Sequence, residues 1–481
     1  MEYAIAIRTE IRKCMQKKGY NLSNFAKEST ITSSHLSSLL SERPSRPLSV
    51  HQLDRINFTL NNPEGCFYEL YVDECFLSGK PHRSRVKPFL LRCAELDKKN
   101  CIEQVLSRMM EDLNYISLVF EVAEELHAKG NIRKSLVFYE CVAEHERYQH
   151  SERLAISQYR LFRAALGKDL EKNRDAVTRF SPFRNRLPVN YQLDGLLQLG
   201  NIYFSLNDWK QLGESADELI ALAKIVYQEQ QQRTTSKGKK SSLKTERHLV
   251  VYYGKGYLMR AVAYEKQGLY EESKKYIKGY ADLSWFKGLD ENATNDVENF
   301  KMFAIANSYT LDMLMGHVHI LQEYTQYLLD HPQEILTGLV VIIEAANKYG
   351  FAIEETLAKL SKKMVEEERR DEIISKGGWY LKFHYQLAVY LLRNGQTENG
   401  ADSIFEMLES SILCNDFSLF IQGISLFESC KDKVSDSQQN KYRNLLERIK
   451  EHESFDLSHR NYIALLLLGL DKTRSHFSEI L

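Results

Sequence analysis

Residues that break helices are scarce along most of this chain. Only 8 of its 481 residues are proline, and five of them lie near the start, at Pro44, Pro47, Pro63, Pro81 and Pro88. Proline ends or kinks an α-helix because it lacks an amide hydrogen and clashes with the preceding turn. A chain this long also needs several domains or a repeat array to bury its apolar residues. The sequence therefore predicts an all-α protein built from many consecutive helices.

Two segments repeat one pattern of apolar, small and aromatic residues. The first is Leu196-x2-Leu199-Gly200-x2-Tyr203, followed by Asn207-Asp208-Trp209, Leu212 and Ala216; the second contains Tyr257, Ala261, Tyr264, Gly268, Tyr270, Ser273 and Ile277. This spacing is typical of tetratricopeptide hairpins, which stack so that each buries its apolar face against its neighbours. Turns expected at residues 130, 207, 268, 350 and 395 are unevenly spaced. The body is therefore predicted to be an irregular tetratricopeptide-like right-handed superhelix.

The first 60 residues read as four short helices. A helix from Tyr3 to Lys18 is predicted by apolar residues at every fourth position and by the stop at Gly19. Asn21, Thr32 and Ser49 can cap the next three helices. Their predicted inward residues are Phe25 and Ala26 in the second helix, Leu36, Leu39 and Leu40 in the third, and Val50, Leu53, Ile56 and Leu60 in the fourth.

This succession resembles the helix-turn-helix of the Cro/phage-repressor class. The residues that carry the resemblance are Gly19 to Ala26, Ile31-Thr32, Leu36, Leu39 and Pro47. The class usually has glutamine where Leu22 stands and glycine where Thr30 stands. The resemblance implies a Cro/C1-type DNA-binding domain over residues 1–62.

The chemistry of this N-terminal head is compatible with DNA. Residues 1–60 contain nine Lys or Arg against five Asp or Glu, a charge of +4 in a chain whose net charge is −1. Short hydroxyl side chains and a histidine on the third helix can approach base edges, while basic side chains meet phosphates. The predicted DNA-binding residues are Lys17, Lys27, Thr32, Ser33, Ser34, His35, Ser37, Ser38, Arg43 and Arg46. The alternative is a four-helix capping module with a solvated polar face.

Catalytic, metal and membrane signals are weak. The eight cysteines form no C-x-x-C pair, and no Cys/His cluster has zinc spacing, so we expect reduced thiols, no metal and no cofactor. Gly254-Lys255-Gly256 imitates a phosphate loop but lacks the third glycine, and a helix is the better interpretation. The longest apolar run, Ile463 to Leu470, is shorter than the roughly 20 residues that span a bilayer. We expect a cytoplasmic protein that is not an enzyme.

A Cro-like head joined to a tetratricopeptide body resembles the RRNPP group of peptide pheromone receptors, including the PlcR, NprR and AimR types. The resemblance implies a transcriptional regulator in which a short signalling peptide binds the repeat groove and alters how a homodimer binds double-stranded DNA at a palindromic operator. It also implies a domain order of head at 1–62, helical linker at 63–112, and peptide-binding and dimerisation repeats at 113–481.

Candidate peptide-binding residues lie on the first helix of each hairpin, on the side away from the repeat contacts. Asparagine and glutamine can match both the donors and the acceptors of an extended peptide backbone. The candidates are Asn201, Phe204, Arg260, Glu265, Asn299, Asn307, Gln386 and Tyr390.

Two other functions are compatible with the same sequence. The body could be a peptide-controlled interaction module that sequesters or dephosphorylates a response regulator, with the head as a docking element. It could also be a scaffold without a small ligand. Loss of promoter binding on mutation of Ser34 and His35 would favour the DNA-binding regulator.

Overall fold

The fold is entirely helical in the part of the chain that the structure describes. The computed structural model describes residues 2–41, 47–76, 79–146, 151–235, 243–367, 378–414 and 416–451. Within these ranges every regular element is an α-helix or a short 3-10 helix. The prediction of an all-α fold is therefore confirmed.

The α-helices follow one another with short connections. In chain order they are α1 (Glu2–Lys17), α2 (Leu22–Ser29), α3 (Ser33–Leu40), α4 (Val50–Thr59), α5 (Tyr68–Tyr71), α6 (Arg83–Glu95), α7 (Lys99–Met109), α8 (Ile116–Ala128), α9 (Ile132–His145), α10 (Glu152–Ala165), α11 (Leu170–Phe180), α12 (Val189–Ser205), α13 (Trp209–Thr235), α14 (Leu249–Lys266), α15 (Tyr270–Ile277), α16 (Glu291–Leu314), α17 (Leu321–Asp330), α18 (Ile335–Tyr349), α19 (Glu354–Glu367), α20 (Gly378–Arg393), α21 (Thr397–Cys414), α22 (Phe417–Cys430) and α23 (Asp436–Glu451). The 3-10 helices span Val72–Phe76, Leu113–Tyr115, Ser181–Arg186, Val318–Ile320, Pro332–Glu334 and Lys431–Lys433.

Two capping residues predicted from the sequence begin helices in the expected way. The Asn21 side chain accepts a hydrogen bond from the Asn24 amide at 2.8 Å at the start of α2. Ser49 forms a capping box with Gln52 at the start of α4. Each cap satisfies amide groups that have no partner inside the helix. Thr32 stands at the N-cap of α3, but its side chain makes no capping hydrogen bond.

All five turns expected from the sequence separate consecutive helices. The residue at each turn has a positive φ: Gly130, Asn207, Gly268, Gly350 and Gly395. Glycine and asparagine adopt this left-handed conformation at little steric cost, and it ends a helix by satisfying its last carbonyls. The two helices on either side of several of these turns pack against each other, as in α8–α9, α12–α13 and α20–α21. The body is thus a succession of helical hairpins with repeat-like packing.

The chain divides into two compact units, Met1–Ala263 and Tyr264–Leu481. In the first unit, one buried apolar cluster extends from Ile7 to Leu161 and includes the inward faces of α1 to α4. Residues 67–109, most of the segment predicted to be a linker, contribute side chains to that same cluster. The second unit contains a cluster from Met313 to Tyr390 and another from Ala388 to Leu446.

The apparent phosphate-loop sequence is part of a helix. Residues 254–256 lie within α14, as the sequence interpretation favoured. Gly256 allows α14 to lie close to α13, because a Cβ atom there would be 2.8 Å from Ile220 Cγ1, 3.3 Å from the Ile220 amide nitrogen and 3.4 Å from the Ala216 carbonyl oxygen. The glycine therefore serves helix packing.

Candidate functional sites

The exposed face of α3 is small and polar. It begins after a sharp turn in which Thr30 has a φ of 56° and Ile31 is buried. The side chains of Thr32, Ser33, Ser34 and Ser37 are exposed, and that of Ser38 is half-buried. An outer surface of short hydroxyl groups allows close approach by another molecule.

His35 does not project outward as the sequence suggested. Its ring is half-buried, and Nε2 lies 3.4 Å from the Gln52 side-chain nitrogen. Gln52 in turn accepts the Ser49 amide in the capping box of α4. His35 therefore joins α3 to the start of α4 in this structure.

The basic residues of the head differ in accessibility. Lys17 and Lys27 are exposed. Arg43 and Arg46 lie outside the described residues. Arg8 is buried and forms an ion pair with Glu74, which lies beyond the segment counted as +4. The charge that the head presents to solvent is thus smaller than its composition indicates.

Two arginines of α1 hold the C-terminal end of α3. Arg8 Nε donates to the Leu39 carbonyl at 2.8 Å, and Arg12 donates to the Leu40 carbonyl. Positive groups at the end of a helix satisfy carbonyls that have no partner within it and complement the helix dipole. The sequence did not indicate this role, because both arginines entered only the net charge of residues 1–60.

Glu74 extends this contact beyond the head. Its carboxylate accepts the Leu48 amide at 3.3 Å, and its carbonyl accepts Arg85 at 2.6 Å. Tyr71 donates its hydroxyl to the Leu48 carbonyl at 2.8 Å. The connection before α4 is therefore fixed by residues that follow the head.

Three candidate peptide-binding residues belong to the first unit. Asn201 and Phe204 are exposed on α12, and the Phe204 ring meets Trp209 edge-on at 5.9 Å. Arg260 forms an ion pair with Asp217 at 3.2 Å and lies over Gly213, where a Cβ would be 2.0 Å from its guanidinium. Asn201 and Phe204 are open to a ligand, whereas Arg260 connects α14 to α13.

Five candidates belong to the second unit. Asn299 is exposed, Glu265 is half-buried, and Asn307 donates its amide to the Tyr280 hydroxyl at 2.8 Å. Gln386 accepts two hydrogen bonds from the Asn347 amide group, both at 2.9 Å. Tyr390 is buried, and its hydroxyl donates to Glu354 at 2.8 Å and accepts the Ile353 amide at 3.1 Å. Tyr390 has no surface available for a ligand in this conformation.

A polar network centred on the buried Tyr159 and Asp194 crosses the hairpins of the first unit. The Tyr159 hydroxyl donates to Asp194 at 2.8 Å, and Arg163 binds both Asp194 and Glu246, the latter at 3.1 Å. Burial raises the pKa of Asp194, and this effect outweighs the attraction of Arg163. At the start of α10, Arg153 pairs with the buried Glu146. The network joins α10 to α12 and to the segment before α14.

No group of three or more His, Cys, Asp or Glu side chains is arranged to hold a metal ion among the described residues. The helices described contain none with the length and apolar character needed to span a bilayer.

Comparison with known proteins leaves the family open. No family model matches the chain, and no curated protein matches it. Among solved structures, one similar chain is a "circular tandem repeat protein with novel repeat topology and enhanced subunit contact surfaces", at 13% sequence identity. The match covers 92% of this chain and 89% of that chain, with a TM-score of 0.16. A similarity this low supports no conclusion about this protein. The evidence for its hairpins is the packing between its own consecutive helices.

Proposed function

We propose that this protein is a cytoplasmic DNA-binding transcriptional regulator, that a short signalling peptide binds its helical hairpins, and that it acts as a homodimer. The proposal treats α2 and α3 as a helix-turn-helix and the later hairpins as a tetratricopeptide-like superhelix.

The observation that carries the DNA-binding part is the arrangement of α2, its turn and α3. Two helices of eight residues each are joined by a turn with a left-handed residue, and both pack against α4 or α1. The outer face of α3 has hydroxyl groups, and Lys27 lies exposed on α2. In helix-turn-helix proteins the second helix enters the major groove while neighbouring groups contact phosphates.

Rigid placement of α3 also supports this reading. Arg8 and Arg12 fix its end, and Gln52 holds His35 near its start. A helix that reads bases must be held in one orientation, because base contacts require precise alignment of donors and acceptors.

The experiment is a selection of DNA sequences from a random pool by the purified full chain, followed by affinity measurements over a range of salt concentrations. We expect a palindromic site and an affinity that falls linearly with salt on logarithmic axes. Ser34→Glu should abolish binding, because it places a negative charge on the exposed face of α3. Ser429→Glu, a change at an exposed serine on α22, should leave the affinity unchanged.

Lys27→Ala should weaken binding to all sequences alike and reduce the salt slope by about 1, as expected for one phosphate contact. If no sequence is enriched at any salt concentration, DNA binding is refuted. If Ser34→Glu binds a selected sequence as tightly as the original chain does, recognition through α3 is refuted. Enrichment of a peptide without any DNA binding would instead favour the control of a response regulator.

Peptide binding rests on two separate sets of candidates: the exposed Asn201 and Phe204 in the first unit, and the exposed Asn299 with the half-buried Glu265, Asn307 and Gln386 in the second. Mass spectrometry of the protein purified from its native host should detect a bound short peptide. The peptide can switch the protein only if it binds one arrangement of the dimer more tightly than another. A scaffold without a small ligand would yield no such peptide.

A further inference from the structure

The C-terminal end of α3 is held by a residue that follows the head. Glu74 lies in the 3-10 helix Val72–Phe76, beyond the segment 1–62 that resembles a DNA-binding domain. Its side chain is completely buried and pairs with Arg8, whose Nε donates to the Leu39 carbonyl at 2.8 Å. Leu39 is the penultimate residue of α3. Glu74 therefore holds this end of α3 through Arg8.

A second set of contacts leads from the same segment to the start of α3. The Leu48 amide donates to Glu74 at 3.3 Å, and the Leu48 carbonyl accepts the Tyr71 hydroxyl at 2.8 Å. The next residue begins the capping box of α4, in which Gln52 takes part. The Gln52 side chain lies 3.4 Å from that of His35, the third residue of α3. Both ends of α3 are thus connected to the segment that follows the head.

These contacts lie in the interior of the first unit. The four residues that make them are at most 2% exposed: Arg8, Leu48, Tyr71 and Glu74. A buried charge or backbone group that loses its partner costs far more than one that water can solvate. Arg85 of α6 also fixes Glu74, since it donates to the Glu74 carbonyl at 2.6 Å. A displacement of Glu74 should therefore displace α3 rather than leave these groups unpaired.

The orientation of α3 should matter more for base contacts than for phosphate contacts. Hydrogen bonds to base edges specify the sequence, and such contacts must be held within about 0.5 Å of the productive geometry. Phosphate contacts supply affinity that does not depend on sequence, and a lysine makes them as a point charge. The exposed Lys27, the proposed phosphate contact, lies on α2. A weaker hold on α3 should therefore reduce selectivity between DNA sequences more than general affinity for DNA.

We propose that Glu74 and Tyr71 are positioning residues that determine the DNA sequence selectivity of this protein through α3. This inference rests on the proposed function, because it assumes that α3 contacts bases. It extends the determinants of selectivity beyond residues 1–62, into the segment that the sequence predicted only as a linker. Neither side chain needs to touch DNA, since they act through Arg8 and Leu48.

The test compares two DNA duplexes of equal length: the site that the full chain selects from a random pool, and an unrelated sequence. Affinities for both are measured by fluorescence anisotropy over a range of salt concentrations, at a temperature at which circular dichroism shows every variant to be folded. Glu74→Gln should weaken binding to the selected site at least about ten-fold, the effect of losing about one base contact. Binding to the unrelated duplex should change less than about two-fold, and the salt slope should stay the same, because no phosphate contact is lost.

Two further variants make the test specific. Tyr71→Phe removes only the hydroxyl group that binds the Leu48 carbonyl, so it should reduce selectivity about three-fold. This milder variant decides the matter if Glu74→Gln does not fold. Glu146→Gln is the matched control, since Glu146 is 1% exposed and accepts Arg153 Nε at 3.1 Å. It removes a comparable buried carboxylate without altering the contacts to α3 described above, and it should leave the ratio of the two affinities unchanged.

The ratio of the two affinities separates positioning from a simple loss of stability. Partial unfolding lowers the apparent affinity for every DNA by the same factor, the folded fraction. An equal loss on both duplexes in Glu74→Gln and in Tyr71→Phe would therefore overturn the inference while leaving the proposed function intact. A ratio reduced as much by Glu146→Gln as by Glu74→Gln would also overturn it. If the original chain selects no sequence, the proposed function fails and this inference fails with it.

Discussion

The ion pair between Arg8 and Glu74 makes a strong prediction about the stability of the head. The two side chains are 2% and 0% exposed, and they come from segments 66 residues apart. Glu74→Gln leaves the Arg8 guanidinium buried without its counter-charge. Breaking a buried pair in this way costs about 3–5 kcal/mol of unfolding free energy. For a unit of this size that corresponds to a fall in Tm of roughly 6–20 °C.

The double variant Arg8→Met/Glu74→Leu separates charge from packing. It removes both charges of this pair, and its remaining cost includes the Leu39 carbonyl and the Leu48 amide, which lose their hydrogen-bond partners. Unsatisfied buried backbone groups cost about 1–3 kcal/mol each, and part of this is recovered by apolar packing. The double variant should therefore be at least about 2 kcal/mol more stable than the summed effects of its two single changes, Arg8→Met and Glu74→Leu, predict.

The assay is urea unfolding followed by circular dichroism, combined with hydrogen exchange of the amides in α3. Tryptophan fluorescence is unsuitable, since Trp209, Trp285 and Trp379 all lie outside the head. Glu10→Gln is the matched control on α1, because its exposed pair with Lys13 should contribute less than about 1 kcal/mol. A buried ion pair of this strength is ruled out if Glu74→Gln behaves like Glu10→Gln, or if the effects of Arg8→Met and Glu74→Leu simply add in the double variant.

Three further predictions concern the turn of the head, the packing of α14 and the buried network. Thr30 is a β-branched residue with a φ of 56°, a left-handed conformation that strains its backbone. Asparagine adopts this conformation more easily, so Thr30→Asn should stabilise the head by about 0.5–1 kcal/mol in urea unfolding. Destabilisation by Thr30→Asn would show that the Thr30 backbone is not strained. Gly256→Ala should destabilise by about 1–3 kcal/mol despite its better helix propensity, because the new methyl group meets α13; a rise in Tm would show that α13 can move aside. Burial raises the pKa of Asp194 above 3.8 in the folded protein. The protonated Asp194 side chain therefore contributes to stability below pH 3.8, and this contribution is lost as the pH rises through the folded pKa. Asp194→Asn should accordingly flatten the pH dependence of urea unfolding at pH values above 3.8, and an unchanged profile would contradict the assignment.

Local features of the fold were predictable because their causes are local. Gly130 and Gly268 mark turns through their own conformational freedom, and Asn21 and Ser49 cap the helices that begin beside them. The apolar residues expected inside the head are buried for the same reason, since helical periodicity alone assigns them to one face.

Contacts between distant segments were not predictable in this way. Nothing in the sequence around Arg8 indicates that its partner is Glu74, and an arginine near the N-terminus is most simply counted as surface charge. His35 was assigned to an outer face by periodicity, whereas Gln52 draws it toward α4. Tyr390 is removed from the surface by Glu354 and Ile353 of the preceding hairpin. Such pairings depend on how the helices pack against each other. The residues around either partner do not indicate that packing.

The apolar cluster that extends from Ile7 to Leu161 has a consequence for how this protein can be divided. A fragment ending at residue 62 would leave Arg8 without Glu74 and expose the inner faces of the first four helices where they meet residues 67–109. We therefore expect such a fragment to be unstable in isolation. The smallest transplantable piece that carries α3 should be the whole first unit, Met1–Ala263, because Tyr159 and Arg163 of α10 also bind Asp194 of α12. We expect this boundary to be the right one for gene fusions, for fragments made for crystallisation and for exchanging heads between proteins.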